Sequence, residues 1–191
     1  MAANGALSPL GALLLAGATL VLWHPAAAQE AAREGSGALS APSVAPDQPG
    51  AGRSTGLPLP RFVSLAAARV NLRFGPGKEY PISWVLAREG LPVEIIAEFD
   101  TWRKVRLHDA DEGWIHQSLL SGRRTILVTD AVGELRRTPD DDARVVLRAE
   151  AGVVGELVDC APEWCRIDIG GRRGWLRRDA FWGTLPGEMP G

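Results

Sequence analysis

The chain has 191 residues, enough for one or two domains, and a formal net charge of −2. Residues 61–122 hold eight acidic and eight basic side chains, and residues 123–191 hold twelve and eleven. Because neither part has the basic excess of a nucleic-acid-binding domain, the composition argues against DNA or RNA as a partner.

The first 28 residues have the composition of an export signal. They contain no Lys, Arg, Asp or Glu, and their apolar run from Leu10 to Trp23 is shorter than a bilayer-spanning helix requires. An Ala-Ala-Ala run ending at Ala28 supplies the small residues that precede a cleavage site. We therefore predict a periplasmic or extracellular protein. Retention of residues 1–28 as an amino-terminal anchor is the alternative to cleavage and would be the only link to a membrane.

Residues 29–60 are predicted to be a disordered linker. They are rich in Ala, Gly, Ser and Pro and contain five charged side chains. Such a composition buries too little apolar surface to offset the entropy lost on ordering. The segment would act as a tether, or as an inert processed leader.

A β-hairpin is predicted after the linker. Residues 91–99 are rich in Val and Ile and short enough for a strand. The chain then turns at Asp100 and returns over residues 103–107, where Val105 and Leu107 alternate with charged side chains. Because strand side chains alternate between faces, these two residues are expected to point inward.

An Asn71-Leu72-Arg73 triplet leads into a turn at Gly75-Pro76-Gly77. Proline presets one dihedral angle of such a turn, and glycine is expected to supply a positive φ at the next position, so the motif has a purely structural explanation. Arg73 is expected to donate to loop carbonyls or to pair with a carboxylate, since its rigid fork of donors suits either task. Gly113 is expected to admit a left-handed or bulged backbone before Trp114.

The unit that contains these motifs occurs twice. Placing Leu72-Arg73 over Leu135-Arg136 also brings Trp102 near Trp164 and Gly113-Trp114 near Gly174-Trp175. The second copy is divergent: Thr138-Pro139-Asp140 replaces the glycine-rich turn, Arg144 stands where the first copy has Pro81, and no tyrosine is present. A repeat of this length predicts two tandem domains. Domains of about sixty residues bury only about 60% of their unfolded surface, so the copies are expected to pack together.

These ordered motifs resemble the bacterial SH3 family, small β-barrels found in cell-envelope proteins. The resemblance implies an all-β fold with two tandem SH3-like barrels, at residues 61–122 and 123–183, followed by a flexible tail at residues 184–191. It also implies a non-catalytic binding module that recognises peptidoglycan peptides or a cell-envelope protein. The alternative is a structural or assembly module that binds another protein and not the wall.

The candidate binding residues are aromatic and basic side chains of the first copy. Trp102 lies on the strand face opposite Val105 and could form a shallow aromatic groove with Tyr80 and Trp84. A histidine after a strand is more often a hydrogen-bonded bystander, but His116 could orient a ligand carboxylate. The full candidate set is Arg73, Tyr80, Trp84, Trp102, Trp114 and His116.

Cys160 and Cys165 flank four residues and would face each other in a hairpin, with Val158 on the same face. The first copy has Glu98 and Arg103 in the matching places. An exported protein meets oxidising conditions, so a structural disulfide is predicted in the second copy and an ion pair in the first. A redox role is disfavoured because the spacing is not Cys-x-x-Cys.

The sequence offers no recognisable catalytic or metal site. His108 and His116 stand outside known metal-ligand spacings, and the acidic loop around Asp109 has too few oxygen ligands for calcium. We therefore predict a protein that is not an enzyme and uses no metal or cofactor.

Overall fold

The computed structural model describes residues 50–189. The predictions of an export signal at residues 1–28 and of a linker up to residue 49 lie outside this range. Within it, the chain forms sixteen β-strands and two single-turn 3₁₀ helices, at Gln117–Leu119 and Arg178–Ala180. No helix in the described range is long and apolar enough to cross a membrane.

Fourteen of the strands form two seven-stranded sheets, and the first two pair with each other as a short hairpin, β1 Gly50–Ala51 with β2 Pro58–Leu59. The first sheet contains β3 Arg61–Leu65, β4 Val70–Arg73, β5 Ile82–Leu86, β6 Pro92–Phe99, β7 Trp102–Arg106, β8 Glu112–His116 and β9 Leu120–Ser121. The second contains β10 Thr125–Val128, β11 Val132–Arg136, β12 Val145–Glu150, β13 Val154–Cys160, β14 Trp164–Ile169, β15 Arg172–Arg177 and β16 Phe181–Trp182.

The two sheets have the same topology. Their strand orders are β5-β4-β8-β7-β6-β3-β9 and β12-β11-β15-β14-β13-β10-β16, with every neighbouring pair antiparallel. Each strand of one copy thus has a counterpart in the other. This confirms the predicted all-β fold and its internal duplication.

Each copy has its own apolar core, built from inward positions of matching strands. In the first, Leu72, Val105 and Ile115 are fully buried. Leu135 and Ile167 occupy the equivalent places in the second. The predicted inward orientation of Val105 and Leu107 is confirmed, because both are buried in the core of the first copy.

The copies also contact each other, as expected for two domains of this size. The buried hydroxyls of Ser64 and Thr125 lie 2.6 Å apart, and Thr125 donates to the Gly90 carbonyl at 2.7 Å. Phe62 meets Trp182 edge to face, with ring centroids 4.8 Å apart. A buried, hydrogen-bonded junction of this kind fixes one copy against the other.

The linker prediction is wrong for residues 50–60, which form the β1–β2 hairpin. Its loop folds over the buried carboxylate of Glu98, which accepts hydrogen bonds from the Ser54 and Thr55 backbones at 3.1 and 2.9 Å. The Thr55 hydroxyl and Arg61 donate to the same carboxylate at 2.7 Å each. Leu59 also packs against the core of the first copy. The composition could not reveal the contact with Glu98 because it is made by polar groups and not by apolar surface.

The flexible-tail prediction is also wrong for residues 184–189. Arg124 contacts both carboxylate oxygens of Glu188, at 2.5 and 2.9 Å. Arg178 donates to the backbone carbonyl of Glu188 at 2.5 Å. These bonds tie the segment to the second copy.

The glycines of the Gly75-Pro76-Gly77 turn and Gly113 are explained by neighbouring groups that lie close to their Cα atoms and not by a positive φ. Gly75, Gly77 and Gly113 all lie outside the set of described glycines with positive φ, which corrects the expectation for these turns. A Cβ at Gly75 would lie 2.2 Å from the Tyr80 ring, and one at Gly113 would lie 2.5 Å from Leu72 Cγ. These positions require glycine because a neighbouring group occupies the space of a side chain.

Substitution of Gly113 by Ala is expected to lower the free energy of unfolding by about 1.5 kcal/mol, the usual scale of core overpacking. The added Cβ would also approach the Arg73 carbonyl oxygen to 2.9 Å, so rotation of Leu72 alone cannot relieve the clash. Gly122→Ala is the matched control, because a Cβ there meets nothing within 4 Å. Urea unfolding of both variants tests the prediction, and equal midpoints would contradict it.

Candidate functional site

Exposed apolar side chains concentrate on the β4–β5 hairpin of the first copy. Half of the ten large apolar side chains exposed in the described part of the chain lie there. We call this group the hairpin patch: Phe74 (71% exposed), Tyr80 (41%), Ile82 (45%), Trp84 (57%) and Val85 (42%). A concentration of exposed apolar groups on a soluble domain marks a candidate interaction surface.

The hairpin is held in shape by its own backbone and by Arg73. The Arg73 guanidinium donates to the carbonyls of Lys78 at 3.1 Å and Tyr80 at 2.7 Å. The Phe74 amide donates to the Pro81 carbonyl at 3.1 Å, and the Tyr80 ring lies against Gly75. Arg73 thus has the loop-bonding role predicted for it, and it positions the turn that displays the aromatic rings.

The second copy builds the same turn without the patch. Arg136 donates to the Ala143 carbonyl at 2.8 Å, and the Arg137 amide donates to the Arg144 carbonyl at 3.0 Å, matching the bonds of Arg73 and Phe74. These bonds and the strand registers align the two hairpins residue by residue. The aligned residues are Arg137 for Phe74, Ala143 for Tyr80, Val145 for Ile82, Leu147 for Trp84 and Arg148 for Val85.

Trp114 lies beside the hairpin on the outer face of the sheet. Its strand register places it opposite Arg73 on one side and Lys104 on the other. Directly opposed residues of antiparallel strands share a face, so these three side chains form a row. Lys104 is engaged by Glu112 at 2.7 Å. The half-buried Trp114 therefore sits between two cations that already have partners.

The groove predicted from Tyr80, Trp84 and Trp102 is not formed. Trp102 is on the face opposite Val105, as alternation predicts, but it is only 9% exposed and its ring contacts that of His116 edge to face at 5.4 Å. Strands β4 and β8 also separate β7 from β5, which carries Trp84. Trp102 is a packing residue, and the structure brings it together with His116 and not with the hairpin patch.

His116 has a local structural role. Its Nδ1 lies 2.7 Å from the Ser118 hydroxyl and accepts from the Ser118 amide at 3.3 Å, which caps the first 3₁₀ turn. This agrees with the prediction of a hydrogen-bonded bystander and leaves the imidazole Nδ1 engaged within its own chain.

Sequence reasoning missed Phe74, Ile82 and Val85. A signal for Phe74 was available, because the repeat alignment places an arginine at the same position of the second copy. Ile82 and Val85 read as ordinary strand residues. Their exposure depends on the position of β5 at the end of the sheet, which the sequence does not show.

The β6–β7 and β13–β14 turns are stabilised by different bonds, an ion pair in the first and a disulfide in the second, as predicted. Cys160 and Cys165 are paired across the ladder and joined by a disulfide of 2.02 Å. Glu98 and Arg103 are paired at the equivalent place, with Arg103 Nε 3.6 Å from the carboxylate. Both members of the ion pair have almost fully buried side chains.

Among the acids of the described residues, Glu98 has the pKa that departs most from its ordinary value. Burial alone would raise its pKa, but hydrogen bonds from the Thr55 side chain, Arg61 and the Thr55 and Ser54 backbone amides outweigh it and lower the pKa to about 2. The carboxylate is enclosed by its own chain and serves the fold. Among residues 50–189, no three or more His, Cys, Asp or Glu side chains are grouped as a metal site would need.

Comparison with known proteins gives one family. The model described as "Bacterial SH3 domain" matches residues 66–122 and 130–183, together more than half of the chain. No curated protein matches the chain.

Three solved structures are similar at low identity. NlpC2 from Trichomonas vaginalis is 15% identical with a TM-score of 0.31, and the alignment covers 65% of this chain and 48% of that one. NlpC1 from the same organism is 16% identical with a TM-score of 0.32, and the alignment covers 71% of this chain and 49% of that one. An NlpC/P60 family protein from Bacillus cereus ATCC 10987 is 14% identical with a TM-score of 0.30, and the alignment covers 65% of this chain and 57% of that one. The chain spans about half the length of these structures.

Proposed function

Since the chain belongs to the bacterial SH3 domain family, we propose that it is a non-catalytic binding module of the cell envelope. The hairpin patch of the first copy recognises peptide ligands there, either peptidoglycan peptides or a segment of an envelope protein. The second copy supports the first and lacks this surface.

The observation that carries this proposal is the difference between the two copies at equivalent positions. The second copy folds with Arg137, Ala143 and Leu147 where the first exposes Phe74, Tyr80 and Trp84. The barrel therefore does not need aromatic residues at these places in order to fold. Exposed aromatic groups without a folding role are the usual anchors of an interface, where tryptophan and tyrosine dominate the binding energy.

The chemistry of the patch suits a peptide. Aromatic faces bind the apolar parts of side chains and backbone, and few polar groups are needed to orient the ligand. Lys78, exposed at the tip of the same turn, provides a cation for a ligand carboxylate. Arg73 is committed to the turn carbonyls and acts by holding the rings in place.

Two observations support a location outside the cytoplasm. The Cys160–Cys165 disulfide is the kind of bond that persists in oxidising compartments. The sequence of residues 1–28 predicts an export signal. Together they support a location where wall peptides and envelope proteins are accessible.

Retention on isolated cell-wall sacculi tests the proposal, using native sacculi and sacculi cleaned of protein by protease. We expect Trp84→Leu, which installs the residue of the second copy, to weaken retention about tenfold, the usual loss for one aromatic anchor. Phe99→Leu is the matched control, because Phe99 is equally exposed but lies at the β6–β7 turn.

Equal retention of the wild type and Trp84→Leu would contradict the proposed site. Absence of retention on both preparations would remove wall association. Cross-linking in intact cells that recovers a discrete protein would then assign the alternative, an assembly module without wall binding.

A further inference from the structure

Strand β5 has one open edge. It lies at the end of the first sheet and pairs with β4 on one side only. No other strand within residues 50–189 pairs with its second side. An edge of this kind presents free backbone N–H and C=O groups, which form a template for another extended chain.

The edge differs from its counterpart in the second copy by lacking charge, one of the features that block such pairing. Both edge strands contain a bulge, which in β5 lies at Ser83. Natural sheets protect their edges with charges, prolines or bulges. The five residues of β5, Ile82–Leu86, carry no charge, whereas the equivalent edge strand β12 carries Arg148 and Glu150. Arg148 is also fixed by Glu134 at 3.0 Å. The second copy therefore has charges on the edge that the first copy leaves uncharged.

The apolar side chains of β5 surround this edge on both faces. Ile82 and Val85 are opposite Arg73 and Asn71 in the register, and Trp84 is opposite the buried Leu72. These three side chains are between 42% and 57% exposed, whereas the fourth apolar residue of β5, Leu86, packs against the core. A strand laid along β5 would cover them while its backbone pairs with the free edge, and this combination is how peptides add to sheets.

We propose that an extended, uncharged segment of an envelope protein binds by adding to β5 as an eighth strand of the first sheet. This rests on the proposed function and narrows the ligand of the hairpin patch to a protein chain. Charge matching sets the chemistry of the segment. A charged side chain facing residues 82–86 would find no opposite charge on β5, and the nearest charges along the chain are Glu79 and Arg88. The uncharged part of the partner is therefore about five residues long, the length of β5.

The probe for this mode is an end-blocked octapeptide of alternating threonine and valine, titrated into the full chain and followed by amide NMR. We expect shifts and slowed hydrogen exchange at residues 82–86. The same peptide with N-methyl groups on every residue keeps its side chains but cannot pair as a strand. It should bind at least about tenfold more weakly, since several backbone hydrogen bonds are lost.

Val85→Arg, which installs the residue of the second copy, should weaken octapeptide binding by a similar factor. Val132→Arg is the matched control, because Val132 is also a half-exposed strand valine, lies in the second copy and should leave binding unchanged. In the retention assay, binding should require native sacculi and be lost when envelope proteins are removed by protease.

Equal binding of the N-methylated peptide, or shifts confined to residues 74–80, or no shifts at all, would overturn strand addition. Sedimentation that shows a dimer of the chain, dissociated by Val85→Arg, would overturn it in favour of a second copy as the occupant of the edge. Retention on protein-free sacculi that depends on Trp84 but not on Val85 would overturn this inference and leave the proposed function standing.

Discussion

Replacement of Glu98 by Gln is expected to lower the free energy of unfolding of the first barrel by about 3 kcal/mol, the range found when one member of a buried ion pair is removed. The Glu98 side chain is fully buried, and two cations, Arg61 at 2.7 Å and Arg103 at 3.6 Å, would lose their counter-charge. The amide would also bind the Ser54 and Thr55 loop less strongly than the carboxylate does. We expect the β1–β2 hairpin to detach before the barrel unfolds.

Urea unfolding with residue-resolved hydrogen exchange measures both effects. Glu112→Gln is the control, since Glu112 pairs with Lys104 and Arg106 on the partly exposed outer face, where ion pairs contribute about 1 kcal/mol or less. A change of similar size for the two variants would show that burial of Glu98 is not what makes it important.

The pH dependence gives the same prediction a second test. Folding lowers the pKa of Glu98 from its ordinary value of 4.5, which applies to the unfolded chain, to about 2. A carboxyl group with a depressed folded pKa adds stability that is complete above its unfolded pKa and is lost as the pH falls through the folded value. The difference in stability between the wild type and Glu98→Gln should therefore be constant above about pH 4.5 and shrink as the pH falls towards about 2. A difference that stays constant down to pH 2 would contradict the assignment.

Removal of the disulfide by Cys160→Ser with Cys165→Ser should lower the free energy of unfolding of the second barrel by about 2 kcal/mol. This is the chain-entropy value for so short a loop, whose cysteines are five positions apart. The first barrel holds the equivalent turn with Glu98 and Arg103 and should be unaffected.

Unfolding of the wild type with and without a reducing agent supplies the comparison. The reduced wild type should resemble the double variant, since both lack the cross-link. Equal stability of the oxidised and reduced wild type would show that the β13–β14 turn is held by other contacts.

Local alternation predicted most of the hairpins but failed at bulges. The ladder shifts between Ile95 and Ala97 in the first copy and between Leu157 and Asp159 in the second. Leu157 consequently packs on the core, and Val158, which was expected to share the cysteine face, falls in the bulge. A bulge depends on how two strands cross inside the barrel, so the period of one strand does not reveal it.

The candidate site was predicted only in part because the exposure of a side chain, like a bulge, depends on neighbouring strands. Tyr80 and Trp84 are exposed as the groove hypothesis required, but Trp102 is covered by its own sheet neighbours. A sequence does not distinguish aromatic residues that fill a core from those that face solvent. Exposure is a property of the whole sheet, because it depends on which strand ends up at the edge.

The sequence by itself determined the duplicated β unit, its family, the Cys160–Cys165 bond and the ion pair that replaces it in the first copy. These follow from residues close together in the chain, where turn chemistry and strand period act locally. Only the tertiary structure decided that β5 is an uncharged open edge, that Trp102 is buried, and that residues 50–60 close over Glu98. Each of these depends on contacts between segments far apart in the chain, and such contacts are fixed only when the sheets close.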